Sequence, residues 1–214
     1  MKRCKYIMGL LTACILFSLT ACSSPAETKS EELQPSETSE TEVSESLDYA
    51  STDGSGVIVA YFSATGNTRS VAESIADITG GELYEIVPSE PYTAEDLDYG
   101  NSQSRSSLEM GDPSSRPEIG SAELSLDDCS TLYLGYPIWH GQAPRIMDTF
   151  VETYDFDGIT VIPFCTSGGS GVGSSAENLA ALAGSGNWLE GQRFSANVSA
   201  TDIYNWLNDL VNHT

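Results

Sequence analysis

Positive charge is scarce in this chain. Nine lysines and arginines stand against 31 aspartates and glutamates, which gives a formal net charge of −22, and no lysine follows Lys29. Such an acidic surface disfavours nucleic acid and anionic lipid headgroups, and it permits steering toward a basic protein partner. The missing lysine also argues against a P-loop nucleotide site, whose motif ends in Gly-Lys-Ser/Thr.

Motifs for metal binding and for hydrolysis are missing as well. His140 and His213 are the only histidines, and no cysteine–histidine spacing fits zinc or an iron–sulfur cluster. Cys129 precedes one predicted strand and Cys165 ends the next, so we expect them at opposite ends of a parallel sheet, too far apart for a disulfide. No Gly-x-Ser-x-Gly is present, which argues against a serine hydrolase.

The longest uncharged apolar segment, Tyr6 to Ala21, follows a basic start, and with its flanks it is short for a membrane span. It ends in Leu19-Thr20-Ala21-Cys22, which resembles the lipobox of bacterial lipoproteins and implies acylation of Cys22. Cys14 ends a similar match, but cleavage there would leave an apolar run behind. We therefore predict a lipoprotein signal peptide over residues 1–22, with a plain signal peptide or an anchor helix as the alternative.

Residues 23–55 are rich in Ser, Thr and Glu and poor in large apolar side chains. Such a segment cannot bury enough surface to fold, so we predict a solvated acidic linker. The folded domain is then expected over residues 56–214, outside the cytoplasm, with membrane contact only through the N-terminal lipid.

In this domain apolar strand-like runs alternate with segments of helical spacing, which predicts an α/β fold with a parallel sheet. The expected strands are Val57–Phe62, Leu83–Val87, Thr131–Tyr136, Ile159–Phe164 and a short one within Trp188–Phe194. A Pro-interrupted, acidic insertion over residues 90–128 separates the second strand from the third. It is either a cover for a ligand or a surface excursion, and it contains one expected short helix near Ser104–Met110.

The turn after the first strand has a hydroxyl-rich sequence, Ser63-Ala64-Thr65-Gly66-Asn67-Thr68. It leads into a helix, whose first N–H groups lack intrahelical partners and favour an anion. The hydroxyl groups add donors and Gly66 permits close approach of a ligand. The turn therefore suits a phosphate that needs no lysine, although an ordinary capped turn uses the same residue types.

This hexapeptide resembles the phosphate loop of flavodoxins, Ser/Thr-x-Thr-Gly-x-Thr, which holds the phosphate of FMN. The resemblance extends over nearly all of residues 56–210 and is strongest to a bacterial subfamily of short, often secreted members. It implies a flavodoxin-like three-layer sandwich whose five-stranded parallel sheet has the order 2-1-3-4-5, with FMN bound where the strand order reverses.

Two later loops resemble the corresponding flavodoxin segments. In Gly135–Trp139, the resemblance implies contacts to the flavin from Pro137, Ile138 and Trp139, with the Trp139 ring lying flat on the isoalloxazine. His140, which follows directly, is a candidate donor to the ring edge. In the other loop, backbone N–H groups would meet the N1–O2 edge of the ring, and the implied residues are Cys165, Thr166, Ser167, Gly168 and Gly169. Tyr92 or Tyr99 could cover the second ring face.

These features favour an FMN-binding electron-transfer lipoprotein that acts on a redox protein or a small-molecule acceptor. One alternative is an FMN-dependent NAD(P)H:quinone-type oxidoreductase, and another is a flavin-free binding module on the same fold. A third interpretation takes Gly171-Val172-Gly173-Ser174-Ser175-Ala176 with Glu190 as a dinucleotide fingerprint. That motif follows the fourth strand and not the first, which disfavours the interpretation.

Overall fold

The computed structural model describes residues 56–213. The expected signal peptide, Cys22 and the linker lie outside this range. The elements alternate along the chain, as the sequence predicts. They are β1 (Val57–Tyr61), α1 (Asn67–Thr79), β2 (Glu82–Glu85), α2 (Arg105–Gly111), β3 (Thr131–Pro137), α3 (Arg145–Thr153), β4 (Thr160–Thr166), α4 (Ser175–Ala183), β5 (Asn187–Trp188), β6 (Gln192–Phe194) and α5 (Ala200–His213).

The strands form one parallel sheet in the order β2-β1-β3-β4-β5, and β6 also pairs with β4. This confirms the predicted α/β fold and its 2-1-3-4-5 order. Because all pairs are parallel, the carboxyl ends of β1, β3 and β4 lie side by side at one edge. Within residues 56–213, none of the helices has the length and apolar character to cross a membrane.

Alternating side chains of the sheet enter two separate apolar cores, one on each face. Ile58 and Ala60 of β1 belong to one core, while Val59 and Tyr61 belong to the other. Helices α3 and α4 cover the first face and helices α1 and α5 cover the second. Their buried apolar residues are Ile146, Met147, Phe150, Val151 and Leu179 on the first face, and Val71, Ile75, Ile203 and Leu207 on the second. The result is a three-layer sandwich.

The expected fifth strand is divided in two. Thr160 pairs with Asn187, but Phe164 pairs with Gln192, so the β5–β6 side contains one extra residue, a bulge. Val161 accepts a hydrogen bond from Leu189, so the odd-numbered residues of β4 face this edge. Pro163 comes next on that side and has no N–H to donate, which accounts for the interruption.

In the insertion over residues 90–128, Arg105 makes contacts within the insertion and Arg116 joins it to the rest of the domain. Arg105 lies over the Tyr92 ring, 4.1 Å from its centroid, and donates to the carbonyl of Glu90. Arg116 forms a two-pronged ion pair with Glu152 of α3, at 2.7 and 2.8 Å. Such planar pairs fix geometry better than single contacts do. The insertion therefore has a defined position against α3.

Gly135, near the end of β3, packs directly beneath the ring of Phe164 on β4. A Cβ at this position would lie 2.2 Å from Cζ of Phe164, which is fully buried. We expect Gly135→Ala to destabilise the protein by about 1–3 kcal/mol, because the ring has no space to move into. The urea midpoint measures the change.

Gly111, the last residue of α2, is the control for this prediction. Nothing lies within 4 Å of a Cβ built there and its φ is not positive. Gly111→Ala should therefore leave stability unchanged or raise it slightly. Equal urea midpoints for the two variants would contradict a destabilising clash between a Cβ at position 135 and the Phe164 ring.

Candidate flavin site at the carboxyl edge of the sheet

One cavity of about 280 Å³ lies at the carboxyl edge of the sheet. All three loops singled out in the sequence contribute to it. Its predicted lining residues are Ala64, Thr65, Asn67, Pro137, Ile138, Trp139, Thr166, Ser167 and Gly168. Tyr99 of the insertion and Ala196 after β6 complete the wall. The other predicted residues, Ser63, Gly66, Thr68, His140, Cys165 and Gly169, belong to the same loops without lining the cavity, and their part in binding stays a prediction.

The first loop ends in a left-handed glycine that starts α1. Gly66 has φ +90°, and a Cβ there would meet nothing within 4 Å, so the requirement is conformational and not steric. Its N–H donates to Oγ of Ser63 at 3.1 Å. The Ser63 hydroxyl therefore accepts within the loop and keeps its own proton for another acceptor.

The N-terminus of α1 differs from those of the other helices in residues 56–213. It has no side-chain cap and no acidic residue in its first turn. By contrast, Ser104 caps α2, and α3, α4 and α5 carry Asp148, Glu177 and Asp202 in their first turns. The first N–H groups of α1 and the positive end of its dipole are thus left for an external anion.

A buried hydroxyl pair joins the first loop to the third. Oγ1 of Thr68 and Oγ1 of Thr166 are 2.8 Å apart, and the two residues are 1% and 4% exposed. Only one of the two hydroxyl groups can donate in this bond, so the other retains its proton. Thr166 lines the cavity and Thr68 does not, so a free hydroxyl proton faces a ligand there only when Thr68 is the donor of the pair.

The structure corrects the role expected of the Trp139 ring. Trp139 is only 1% exposed, and its ring packs edge-on against Phe62, Tyr92 and Tyr99 at centroid distances of 5.5, 5.0 and 6.3 Å. No ring face is open for a flavin to lie flat against. The accessible aromatic of the cavity is Tyr99, which is 50% exposed. The expectation rested on its place at the tip of the loop after the third strand and on the resemblance of that loop to flavodoxin segments.

His140 lies at the tip of a tight two-residue turn. Trp139 and Gln142 exchange both backbone hydrogen bonds at 2.9 Å, and His140 and Gly141 have φ +47° and +81°. These signs belong to a type I′ turn, whose first central position most often holds Asn, Asp or Gly. The His140 ring is exposed, 3.4 Å from Oγ of Ser107 through Nε2 and edge-on to Tyr99.

The third loop begins with a buried thiol and a firmly held serine. Burial raises the pKa of Cys165 to about 12, although the charge of Arg193 acts to lower it, so the thiol is not reactive. Cys129 is also free. Ser167 donates its N–H to the Phe194 carbonyl at 3.2 Å and accepts two hydrogen bonds from Arg193.

Sequence reasoning missed Ala196 and the contacts of Arg193. The available signal was the rule that residues just after parallel strands line the carboxyl edge. It could not be applied, because the sequence predicted a short last strand within Trp188–Phe194 without its exact end. A larger cavity, of about 840 Å³, lies between α4 and the β5–β6 segment and includes Val172, Gly173 and Glu190. The glycine motif after β4 therefore faces this second cavity.

Comparison with known proteins identifies the family of this chain. Residues 56–210 match the flavodoxin family, and the chain belongs to it. A protein of Bacteroides eggerthii described as a flavoprotein is 44% identical, with 73% of this chain and 98% of that one covered and a TM-score of 0.68. A similar Bacteroides uniformis protein is 43% identical, over 72% and 99% of the two chains, with a TM-score of 0.69.

A more distant structure shares the fold. It is a Lactobacillus acidophilus flavoprotein in complex with FMN, 22% identical over 65% of this chain and 93% of that one, with a TM-score of 0.53. A search among curated proteins gave no match.

The Thr68–Thr166 pair provides a test of how the loops are joined. Thr68→Val keeps the side-chain shape but leaves the Thr166 hydroxyl buried without this partner, so we expect a loss of about 1–3 kcal/mol in unfolding free energy. The double variant Thr68→Val/Thr166→Val should cost less than the sum of the single variants, because the two hydroxyls depend on each other. Strictly additive losses in urea unfolding would contradict the pairing.

Proposed function

We propose that this chain binds FMN at the carboxyl edge of its sheet and transfers electrons outside the cytoplasm from a lipid-anchored position. The observation that carries the proposal is the meeting of the three predicted loops around one cavity beside the uncapped start of α1. FMN is also what the Lactobacillus structure of the same fold contains.

The donors around the first loop fit a phosphate group. The start of α1 offers N–H groups and a dipole, and the Ser63 hydroxyl has a proton to give. Thr65 and Asn67 are exposed at the cavity wall. A phosphate held in this way needs no lysine, which agrees with the composition of the domain.

The rest of the cavity fits a flat heteroaromatic ring. Pro137 and Ile138 supply apolar surface, Tyr99 supplies an exposed aromatic face, and the loop from Ser167 supplies backbone groups. At about 280 Å³ the cavity is slightly smaller than most ligand sites. We therefore expect Tyr99 to shift outward and stack on the bound ring.

The cavity wall favours electron transfer over reactions that need an acid or base from the protein. No carboxylate, histidine, lysine or arginine is among the described residues that line it, and its one titratable side chain, Tyr99, has a pKa raised by burial. Bound FMN would supply the redox chemistry, while these residues bind it, orient it and exclude water. The acceptor would be a redox protein or a small molecule.

The proposed location follows from residues outside the described range. The sequence ending in Cys22 resembles a lipobox, and residues 23–55 have the composition of a tether. Acylation at Cys22 would leave the acidic domain near a membrane surface that repels it. The flavodoxin domain would then act on partners at that surface and not on cytoplasmic ones.

Flavin titration of the purified protein tests the cofactor. We expect FMN fluorescence to be quenched with a one-to-one endpoint, and riboflavin, which lacks the phosphate, to bind at least about tenfold more weakly because it forgoes charge-assisted hydrogen bonds. Tyr99→Ala should weaken FMN binding by about 1 kcal/mol through lost stacking.

Tyr99→Phe is the matched control, because it keeps the aromatic ring and should retain the affinity for FMN. Equal or tighter binding by Tyr99→Ala would contradict the stacking role. If micromolar protein bound no FMN, the flavin-free module would become the better interpretation. Equal affinity for FMN and riboflavin would contradict the assignment of a phosphate site to the first loop.

Fractionation of bacterial cells that express the full chain tests the anchor. Cys22→Ala should move the protein out of the membrane fraction, because the thiol that accepts the lipid is gone. Cys14→Ala is the control and should stay membrane-bound. Release by Cys14→Ala, or retention of both variants in the membrane fraction, would refute anchoring through Cys22.

A further inference from the structure

Arg193 differs from the other arginines of the domain. Arg69, Arg105, Arg116 and Arg145 each form an ion pair with a carboxylate. Among the described residues, Arg193 pairs with no carboxylate. The hydrogen bonds that its guanidinium donates within residues 56–213 go to Ser167, so its positive charge is not neutralised by a direct partner.

The contacts between Arg193 and Ser167 fix the start of the third loop. Nη2 of Arg193 donates to the Ser167 carbonyl at 2.7 Å, and Nε donates to Oγ of Ser167 at 3.1 Å. The Ser167 hydroxyl in turn donates to the Ser170 carbonyl. Because the guanidinium is planar and its donors form a fixed fork, the two bonds set the orientation of Ser167 and not only its distance.

This orientation determines where the next N–H group points. In a trans peptide the C=O and the N–H point in opposite directions. With the Ser167 carbonyl turned toward Arg193, the Gly168 N–H turns the other way. Gly168 and Ser167 line the cavity, and within residues 56–213 no acceptor is bonded to the Gly168 N–H.

We propose that Arg193 is a positioning residue for the flavin: it aims the Gly168 N–H into the cavity and places an unpaired positive charge behind that peptide. This rests on the proposed FMN binding. An acceptor atom on the ring edge would meet a donor that is already oriented, so less ordering is needed on binding. Since reduction adds negative charge to the ring, the guanidinium also favours the reduced cofactor.

The charge acts at moderate strength because water reaches it from the far side. Arg193 lines the cavity of about 840 Å³ between α4 and the β5–β6 segment and does not line the flavin cavity. Its field still reaches the end of β4, where it acts to lower the pKa of Cys165. We therefore expect tenfold effects and not thousandfold ones.

The test uses Arg193→Gln, which removes the charge, and Arg193→Lys, which keeps the charge but loses the planar pair of donors that binds Ser167. Glu82→Gln is the control, because it changes the net charge by one unit at an exposed position at the amino end of β2, away from the flavin cavity. Three quantities are measured for each variant: amide exchange of residues 167–170 without FMN, the affinity for FMN, and the midpoint potential of the FMN complex.

For Arg193→Gln we expect amide exchange of the loop to rise and FMN affinity to fall, each by about tenfold. Reduced FMN should lose about tenfold more affinity than oxidised FMN, which lowers a two-electron potential by about 30 mV. Arg193→Lys should restore most of the potential but not the exchange protection. Glu82→Gln should change none of the three.

Wild-type exchange, affinity and potential in Arg193→Gln would overturn the proposal. A loss of affinity with an unchanged potential would reduce Arg193 to a structural support and overturn the electrostatic part. If no variant and no wild-type protein bound FMN, the proposed function would fail, while loop exchange would still decide whether Arg193 orients Ser167.

Discussion

The parallel alignment of β1, β3 and β4 is the constraint on which the rest of this structure depends. It brings the turn after β1 beside the loops after β3 and β4, although these segments are about 70 and 100 residues apart in the chain. The buried Thr68–Thr166 hydrogen bond then ties the first loop to the third at 2.8 Å. A shift of one residue between these strands would turn their side chains to the opposite faces and separate the hydroxyl pair.

The elements that positioned the site were predictable because local pattern and global fold agree. Val57–Tyr61 is β-branched and aromatic with both faces buried, and the segment after Gly66 has helical spacing, so neither depends on distant contacts for its type. The strand order followed once the family resemblance was seen. The β5–β6 bulge was not predictable, because it depends on Pro163 facing one particular neighbour, and the sequence does not say which side of β4 that is.

Side-chain roles were harder to predict than loop positions. Trp139 was expected to be an exposed stacking ring, but the insertion brings Tyr92 and Tyr99 against it and buries it. Tyr99 could be named only as one of two candidates, because nothing local fixes where residues 90–128 pack. The contact of Arg193 with Ser167 could not be predicted for the same reason. The two residues are 26 positions apart, and only the pairing of β6 with β4 brings them together.

The acidity of the domain and its proposed anionic cofactor are compatible because net charge and local field are separate quantities. Carboxylates dominate the surface, but none of the described residues that line the cavity carries one, and the first turn of α1 has none either. Arg69, in that same turn, is paired with Glu85, which neutralises a carboxylate at the end of β2. The field at the cavity is therefore set by the helix dipole, the backbone N–H groups and the unpaired Arg193, all of which favour an anion, while the distant carboxylates are screened by salt within about 10 Å.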